Sequence, residues 1–362
     1  MDATLYAIAL TFIKGIGPIN AKGLIGHFES VQGIFDAKPA DFKGFNKNIS
    51  VLLDKNIKNQ AIERAAKEIE FARKHNINIH CLLDESYPYR LRECEDSPII
   101  LYSLGDCDLN SGYFVAVIGT RNVTSYGKEC CYKLIKELSA NQQDATIISG
   151  LAYGVDSIAH KAALNENFHT IGVVAHGLDR LYPAQNKALA RKIVDSGGAI
   201  VTEYPSETRI DAANFVKRNR IIAGLCDASV IVESAERGGA LITAEAANTY
   251  NRDVFAFPGR CDDNFSQGCN NLIKTNQAQI ITSADDIINA MGWKKKTPEQ
   301  QPLFTELTDE ERKIVEILHK TELDANDLSK ELKIPIQKML STLVVMELKG
   351  LVKSSRGNFS KA

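Results

Sequence analysis

From Tyr113 onward the chain alternates short β-branched runs with amphipathic helical patterns, and this alternation constrains the fold more than any other feature. YFVAVIGT precedes SYGKECCYKLIKELSA, ATIISGLA precedes VDSIAHKAALNEN, and HTIGVVAHG precedes NKALARKIVDSGG. Continuous apolar runs mark strands covered on both faces, and the helices between them are the crossovers that parallel strands require. AIVTEY, NFVKRNRIIAGLC, ASVIVES, ALITAEAANTYN and DVFAFPG continue the pattern, and AQIITS with ADDIINAMGW adds a last strand and helix. INIHCLLD and IILYSLG read as extra strands extending the sheet at its start. The expected fold is α/β, an extended Rossmann-like, doubly wound, mainly parallel sheet over residues 77–292.

The flanks are of a different kind. LYAIALTFIKGIGPINAKGLIGHF holds two helical patterns joined by Gly15, Ile16, Gly17 and Pro18, with proline at a first helical position where its missing N–H is no loss. With the long helix IKNQAIERAAKEIEFARKHN it predicts a small all-α unit over residues 1–76, of helix-hairpin-helix or SAM-like type. WKKKTPEQQPLFTE is polar and without periodicity, so residues 293–307 read as a linker. Residues 308–362 carry three helical patterns and then LVKSSRGNFSKA, the order of a winged helix, with Thr308 and Glu311 spaced as a capping box.

Net charge is −2, but it is unevenly spread: 11 basic and 8 acidic residues over 1–76, 19 and 26 over 77–292, and 13 and 11 over 293–362. An acidic middle region binds nucleic acid only through a local basic groove, because phosphate affinity comes from the few cations that displace counterions. The eight cysteines form no C-x-x-C pair and the seven histidines no H-E-x-x-H spacing, so neither a metal nor a disulfide framework is expected. No run approaches the roughly 18 apolar residues of a membrane span, and the start lacks a signal-peptide pattern, so a cytoplasmic location without membrane contact is expected.

Four segments at strand ends can carry function. Gly119, Thr120 and Arg121 leave the strand YFVAVIGT just before a helix, where backbone amides favour an anion. Arg121 reads either as the mouth of such a site or as a solvated surface residue. Ser149 and Gly150 open the run SGLAYGVD, in which Asp156 and His160 are one helical turn apart; without a nucleophile beside them they read as a structural hydrogen bond rather than an acid–base pair. Phe215, Lys217, Arg218 and Arg220 form the densest basic cluster of the middle region. One helix face cannot hold all three cations, so at least one is expected to turn inward onto a carboxylate such as Glu203 or Glu233. Phe215 fits a stacking platform for a base and a core position equally. Gly238 and Gly239 precede a helix and loosely resemble the P-G-G-x-G-T-x-x-E loop of nucleotide-monophosphate phosphoribohydrolases, with Thr243 and Glu245 displaced; hydrolysis stays open as an alternative, and a transcriptional regulator built on the winged helix is a third reading.

Together AVIGTRNVTSYG, SGLAYGVDSIAHKAAL, AHGLDRLYPAQNKAL, NFVKRNRIIAGL, GGALITAEAA, FAFPG and SQGCNNLIKTNQA resemble the DNA-processing protein A (Smf) family, in the family's order, over most of residues 85–290. The resemblance implies a non-enzymatic protein without cofactor that binds single-stranded DNA regardless of sequence, forms homodimers, and loads a RecA-type recombinase in natural transformation. Carried onto this chain, it implies a DNA pocket of Gly119, Thr120, Arg121, Ser149 and Gly150 facing Lys217 and Arg218, with Phe215, Arg220 and Gly239 beside it. The family's glycine-serine-arginine turn carries threonine here, which keeps the hydroxyl. The helix PIQKMLSTLVVMELKG is the candidate reader of duplex DNA, yet it is mostly apolar and has Lys338 and Lys349 as its basic residues, so protein contact is an equal reading.

Overall fold

The computed structural model describes residues 2–361 apart from 29, 46, 143, 295–306, 320, 350, 356 and 357. Most of the expected linker therefore lies outside the described residues. Residues 1–295 form one compact unit and residues 296–362 another.

The first unit begins with α1 (Asp2–Phe12), α2 (Pro18–Phe28), α3 (Val31–Asp36) and α4 (Lys55–Lys74). Gly15, at φ +93°, makes the turn between α1 and α2 in a left-handed conformation that a side chain disfavours. Next come β1 (Ile77–Cys81), α5 (Tyr89–Arg92), β2 (Ile100–Leu104), β3 (Tyr113–Ile118), α6 (Ser125–Asn141), β4 (Ala145–Ser149), α7 (Val155–Asn165) and β5 (Thr170–Val173). The unit continues through α8 (Lys187–Asp195), β6 (Ala199–Thr202), α9 (Ala212–Leu225), β7 (Ala228–Ile231), α10 (Gly239–Thr249), β8 (Asp253–Ala256), α11 (Gln267–Lys274), β9 (Gln279–Ile280) and α12 (Ala284–Ala290).

Among the described residues these strands form one sheet in the order β1-β2-β6-β5-β4-β3-β7-β8-β9. From β6 to β9 every pairing is parallel, while β2 runs antiparallel to both β1 and β6. The expected doubly wound, mainly parallel sheet is thus present, and the two early strands extend it beyond β6, far from β3. Alternate residues of β3 feed two cores. Phe114, Ala116 and Ile118 join the side packed by α9, α10 and the N-terminal helices, and Val115 and Val117 join the side packed by α6, α7 and α12. The N-terminal helices share the first of these cores with β1 and β2. Strand order reverses between β3 and β7, since β4, β5 and β6 lie to one side and β7, β8 and β9 to the other. Ligand crevices of open α/β sheets form at the carboxyl ends of strands at such a reversal.

The second unit holds α13 (Asp309–Leu318), β10 (Leu323–Asp324), α14 (Ala325–Leu332), α15 (Ile336–Leu348), β11 (Val352–Ser355) and β12 (Asn358–Lys361), with sheet order β10-β12-β11, a winged helix. Thr308 and Glu311 make the expected capping box: Thr308 Oγ1 accepts from the Glu311 amide at 3.3 Å, and the Glu311 carboxylate accepts from the Thr308 amide at 2.9 Å. Among the described residues no helix is long and apolar enough to cross a membrane.

Candidate nucleic-acid interface

A depression of about 320 Å³ sits at the strand reversal, over the carboxyl ends of β3 and β7. Two loops build its floor and fix each other. The Thr120 amide donates to Glu233 O at 2.8 Å, and the Val155 amide donates to Thr120 O at 3.1 Å. Gly154, at φ +77°, lies so close that a Cβ would stand 2.2 Å from Thr120 O and 2.6 Å from Arg121 Cα. Gly119 is equally constrained, since a Cβ there would meet Val155 Cγ2 at 2.6 Å. Thr120 Oγ1 accepts from the Asn122 amide at 3.2 Å, which shapes the turn after it. Glu233 is spent on the same loop: its carboxylate accepts from the Thr124 amide at 2.8 Å and from the Thr124 hydroxyl, and among the described residues no arginine pairs with it. The result is a rigid turn presenting Arg121, which is exposed and has no ion-pair partner among the described residues.

The opposite wall is α9 together with the start of α10. Asp211 caps α9 by accepting from the Ala213 amide at 2.8 Å, whereas the N-cap of α10 is Gly238, which brings no side-chain cap. The Leu241 amide donates to Gly238 O at 3.1 Å, and the Gly239 and Ala240 amides before it are left to a ligand or to water. Gly239 has open space where a side chain would stand. Phe215 lines the rim, edge-on to Tyr182 with ring centroids 5.5 Å apart, and Tyr153 stands across from it, 42% exposed.

Of the ten residues singled out by sequence, Gly119, Thr120, Arg121, Phe215, Arg218 and Gly239 line this depression. Ser149 and Gly150 lie beneath it, buried; Ser149 donates its hydroxyl to Val117 O at 2.7 Å. Arg218 is 5% exposed and donates to Gly150 O at 2.7 Å and to Val173 O. A Cβ on Gly150 would stand 2.6 Å from Asp156 Oδ2 and 2.7 Å from Arg218 Nη2, so that glycine makes room for the buried pair. Burial raises the Asp156 pKa against the pull of Arg218, and burial lowers that of Arg218. Arg220 turns inward onto Glu203, as expected, and also donates to Asp96 O at 2.6 Å. Lys217 stands with Arg220 on another side of α9, beside a separate cleft.

The expected Asp156–His160 hydrogen bond is not formed. His160 Nδ1 meets Thr170 Oγ1 at 2.7 Å instead, because its ring points under the sheet, and burial lowers its pKa to about 3. Thr243 lines the depression, but Glu245 does not and lines a separate surface. Tyr153 lines the depression and Tyr182 packs on Phe215, and neither is among the ten residues singled out by sequence. Tyr153 stands within SGLAYGVD, four residues past the end of β4, and an aromatic in a strand-end loop was the available signal.

The family described as DNA recombination-mediator protein A matches residues 78–292, and the DprA winged helix domain matches residues 296–358. The chain belongs to the DNA recombination-mediator protein A family. Protein Smf of Synechocystis is 35% identical over 294 residues, spanning 79% of this chain and 72% of the relative. DNA processing protein DprA of Streptococcus pneumoniae is 39% identical over 207 residues, 57% of this chain and 72% of the relative. The X-ray structure of that pneumococcal protein superposes with a TM-score of 0.68 at 33% identity, covering 79% of this chain and 97% of the other. DNA processing protein A of Helicobacter pylori, whose structure describes a single-stranded DNA binding mode, gives a TM-score of 0.53 at 32% identity, covering 59% and 95%.

Proposed function

We propose that this family member binds single-stranded DNA without sequence preference in the depression at the strand reversal, as a homodimer, and delivers it to a RecA-type recombinase during DNA uptake. The observation that carries the reading is the meeting of three features in one depression: an unpaired Arg121 on a rigid turn, the uncapped start of α10, and the rings of Phe215 and Tyr153. A cation and free amides suit a phosphate, and the exposed Tyr153 ring beside the half-buried Phe215 ring suits unstacked bases, whose faces a duplex hides. No base-edge reader is required, so sequence should matter little. A binding role rather than catalysis is favoured because Asp156, the carboxylate lining the depression, is buried beside Arg218 and accepts from the Ala152 amide at 3.3 Å. Glu245, which a hydrolase reading needs, lies elsewhere.

The test is fluorescence anisotropy of labelled oligo-dT and an equal-length duplex across a salt series, on the parent and on Arg121→Ala. Tight, salt-sensitive preference for the single strand that weakens in the variant is the expected result; duplex preference or an unchanged variant overturns the assignment. Recombinase delivery is tested separately, by asking whether the protein speeds RecA filament formation on strands covered by a single-strand binding protein.

For the winged helix, protein contact is the better reading. Lys338 faces Glu310 at 2.6 Å and Lys349 faces Glu311 at 2.6 Å, so each lysine of the α15 region has a carboxylate that competes with phosphate. Ile336, Leu340, Val344 and Val345 are left exposed along α15.

A further inference from the structure

A second cleft of the first unit lies beside the depression, across α9. It holds about 770 Å³, within the range of small-ligand sites, and it is walled on one side by the hairpin turn and start of α2, at Ile16, Pro18 and Ile19. The facing wall is Glu203 and Tyr204 beyond β6, with Lys217 and Arg220 of α9 at the edge. Residues three apart on a helix share a side, so Lys217 and Arg220 overlook the cleft while Phe215, Arg218 and Asn219 overlook the depression. Val216, 50% exposed, crests the helix between them.

The charges of the cleft are settled except at one point. Arg220 is engaged by Glu203 and by Asp96, whereas Lys217 is exposed and has no ion-pair or hydrogen-bond partner among the described residues. Glu203 supplies a second loose end. One of its oxygens holds Arg220, while Oε1 is buried without a hydrogen-bond partner, and burial raises its pKa. A buried acceptor left unpaired costs about 1–3 kcal/mol, so a donor arriving from the cleft would be held there. The remaining wall is largely apolar, formed by Ile16, Pro18, Ile19 and Ile99. A free cation at the lip, an apolar wall and an acceptor that lacks its N–H match one nucleotide: phosphate, base face and base edge.

We infer that the cleft between the N-terminal helical hairpin and the end of β6 is a second nucleotide subsite, which receives a base of the same DNA strand after it crosses α9. The inference rests on the reading of the depression as a single-stranded DNA site, and it makes the N-terminal helices part of the DNA path. Lys217 takes the phosphate at the crossing, the apolar wall of Ile16, Pro18 and Ile99 packs on the base, Ile19 stands at the rim beside the strand, and Glu203 Oε1 accepts a base N–H. A short strand fills the depression alone; a longer one fills both.

The test is a charge pair at Ile19, which is 55% exposed and so tolerates substitution. Full-length Ile19→Lys and Ile19→Glu are compared with the parent and with Arg121→Ala, using labelled oligo-dT of about six and about twenty nucleotides, lengths near the short end of and above the span of typical single-strand grooves. On the long strand Ile19→Lys should bind tighter and Ile19→Glu weaker, each by about threefold, the scale of one phosphate contact. On the short strand neither should change. If both Ile19 variants match the parent on the long strand while Arg121→Ala weakens it, the cleft is not on the path. If Arg121→Ala is silent as well, the depression reading fails and takes this one with it. Photocrosslinking from 4-thiothymidine placed along the long strand gives an independent reading. Crosslinks to the peptide around residues 16–19 support the subsite, and their absence at every position, with crosslinks near Arg121 present, overturns it.

Discussion

Replacing Arg218 by methionine separates scaffold from ligand contact at the one cation that sequence places among the DNA contacts and the structure buries. Arg218 is 5% exposed, and it satisfies the carbonyls of Gly150 and Val173 while its charge pulls down the pKa of the buried Asp156. Methionine keeps much of the length and removes all of that. Leaving two buried carbonyls without their donor costs about 1–3 kcal/mol each, and the Asp156 carboxylate loses its nearby cation as well. At roughly 2–4 °C per kcal/mol for a domain of this size, melting should fall by on the order of 10 °C. The loss should shrink at acid pH. Asp156 already has a raised pKa in the folded state, and without Arg218 it rises further; above it the folded carboxylate is charged and unpaired, below it the group is neutral. Adding Asp156→Asn should restore part of the loss, which makes the pair a double-mutant cycle. The assay is thermal unfolding against pH, with anisotropy on the folded fraction. An Arg218→Met protein that melts like the parent yet no longer binds oligo-dT would refute the reasoning and return Arg218 to the DNA.

Arg121→Ala should leave melting within about 0.5 kcal/mol, as for other exposed sites, yet lower the salt slope of oligo-dT binding by roughly 0.7, read from anisotropy at several salt concentrations. Tyr153→Ala should weaken the same binding by about 1–3 kcal/mol if its ring carries a base, with melting unchanged. Gly154→Ala must push a Cβ into Thr120 O and adopt a positive φ, so it should cost about 1–3 kcal/mol of strain and disturb Arg121, whereas Gly239→Ala meets open space and should melt like the parent; denaturation of both variants checks this. His160, with a pKa of about 3 when folded, binds fewer protons than in the unfolded chain between about 3 and about 6.5, so it makes stability fall as pH drops through that window. His160→Gln should flatten that slope, by up to about 1.4 kcal/mol per pH unit, in melting measured from pH 4 to 7.

The parallel strands were legible because a strand covered on both faces is apolar at every position, as in Phe114 to Ile118, and the glycines that follow mark where one strand ends and a helix begins. Where β1 and β2 attach was not legible. Strand order is set by packing across the whole sheet, and INIHCLLD carries no trace of its distance from β3. At the site, Gly119 to Arg121 and Gly239 could be read because turns at strand ends are local. The roles of Lys217, Arg218 and Arg220 could not, since they depend on what faces each side of α9: two backbone carbonyls for Arg218, two carboxylates for Arg220, and open cleft for Lys217. His160 shows the same limit. Its spacing from Asp156 suggested a partner one turn away, but the tertiary fold supplied Thr170.

The antiparallel seam between β2 and β6 sets a schedule for the chain as it is made. β2 leaves the ribosome roughly a hundred residues ahead of the strand it must pair with, in the company of β1 and the four N-terminal helices whose core it shares. At about 5–20 residues per second that is an interval of roughly 5–20 s, during which one edge of a mostly apolar strand has no partner. Synthesis speed across residues 105–198 therefore sets how long that edge stays open.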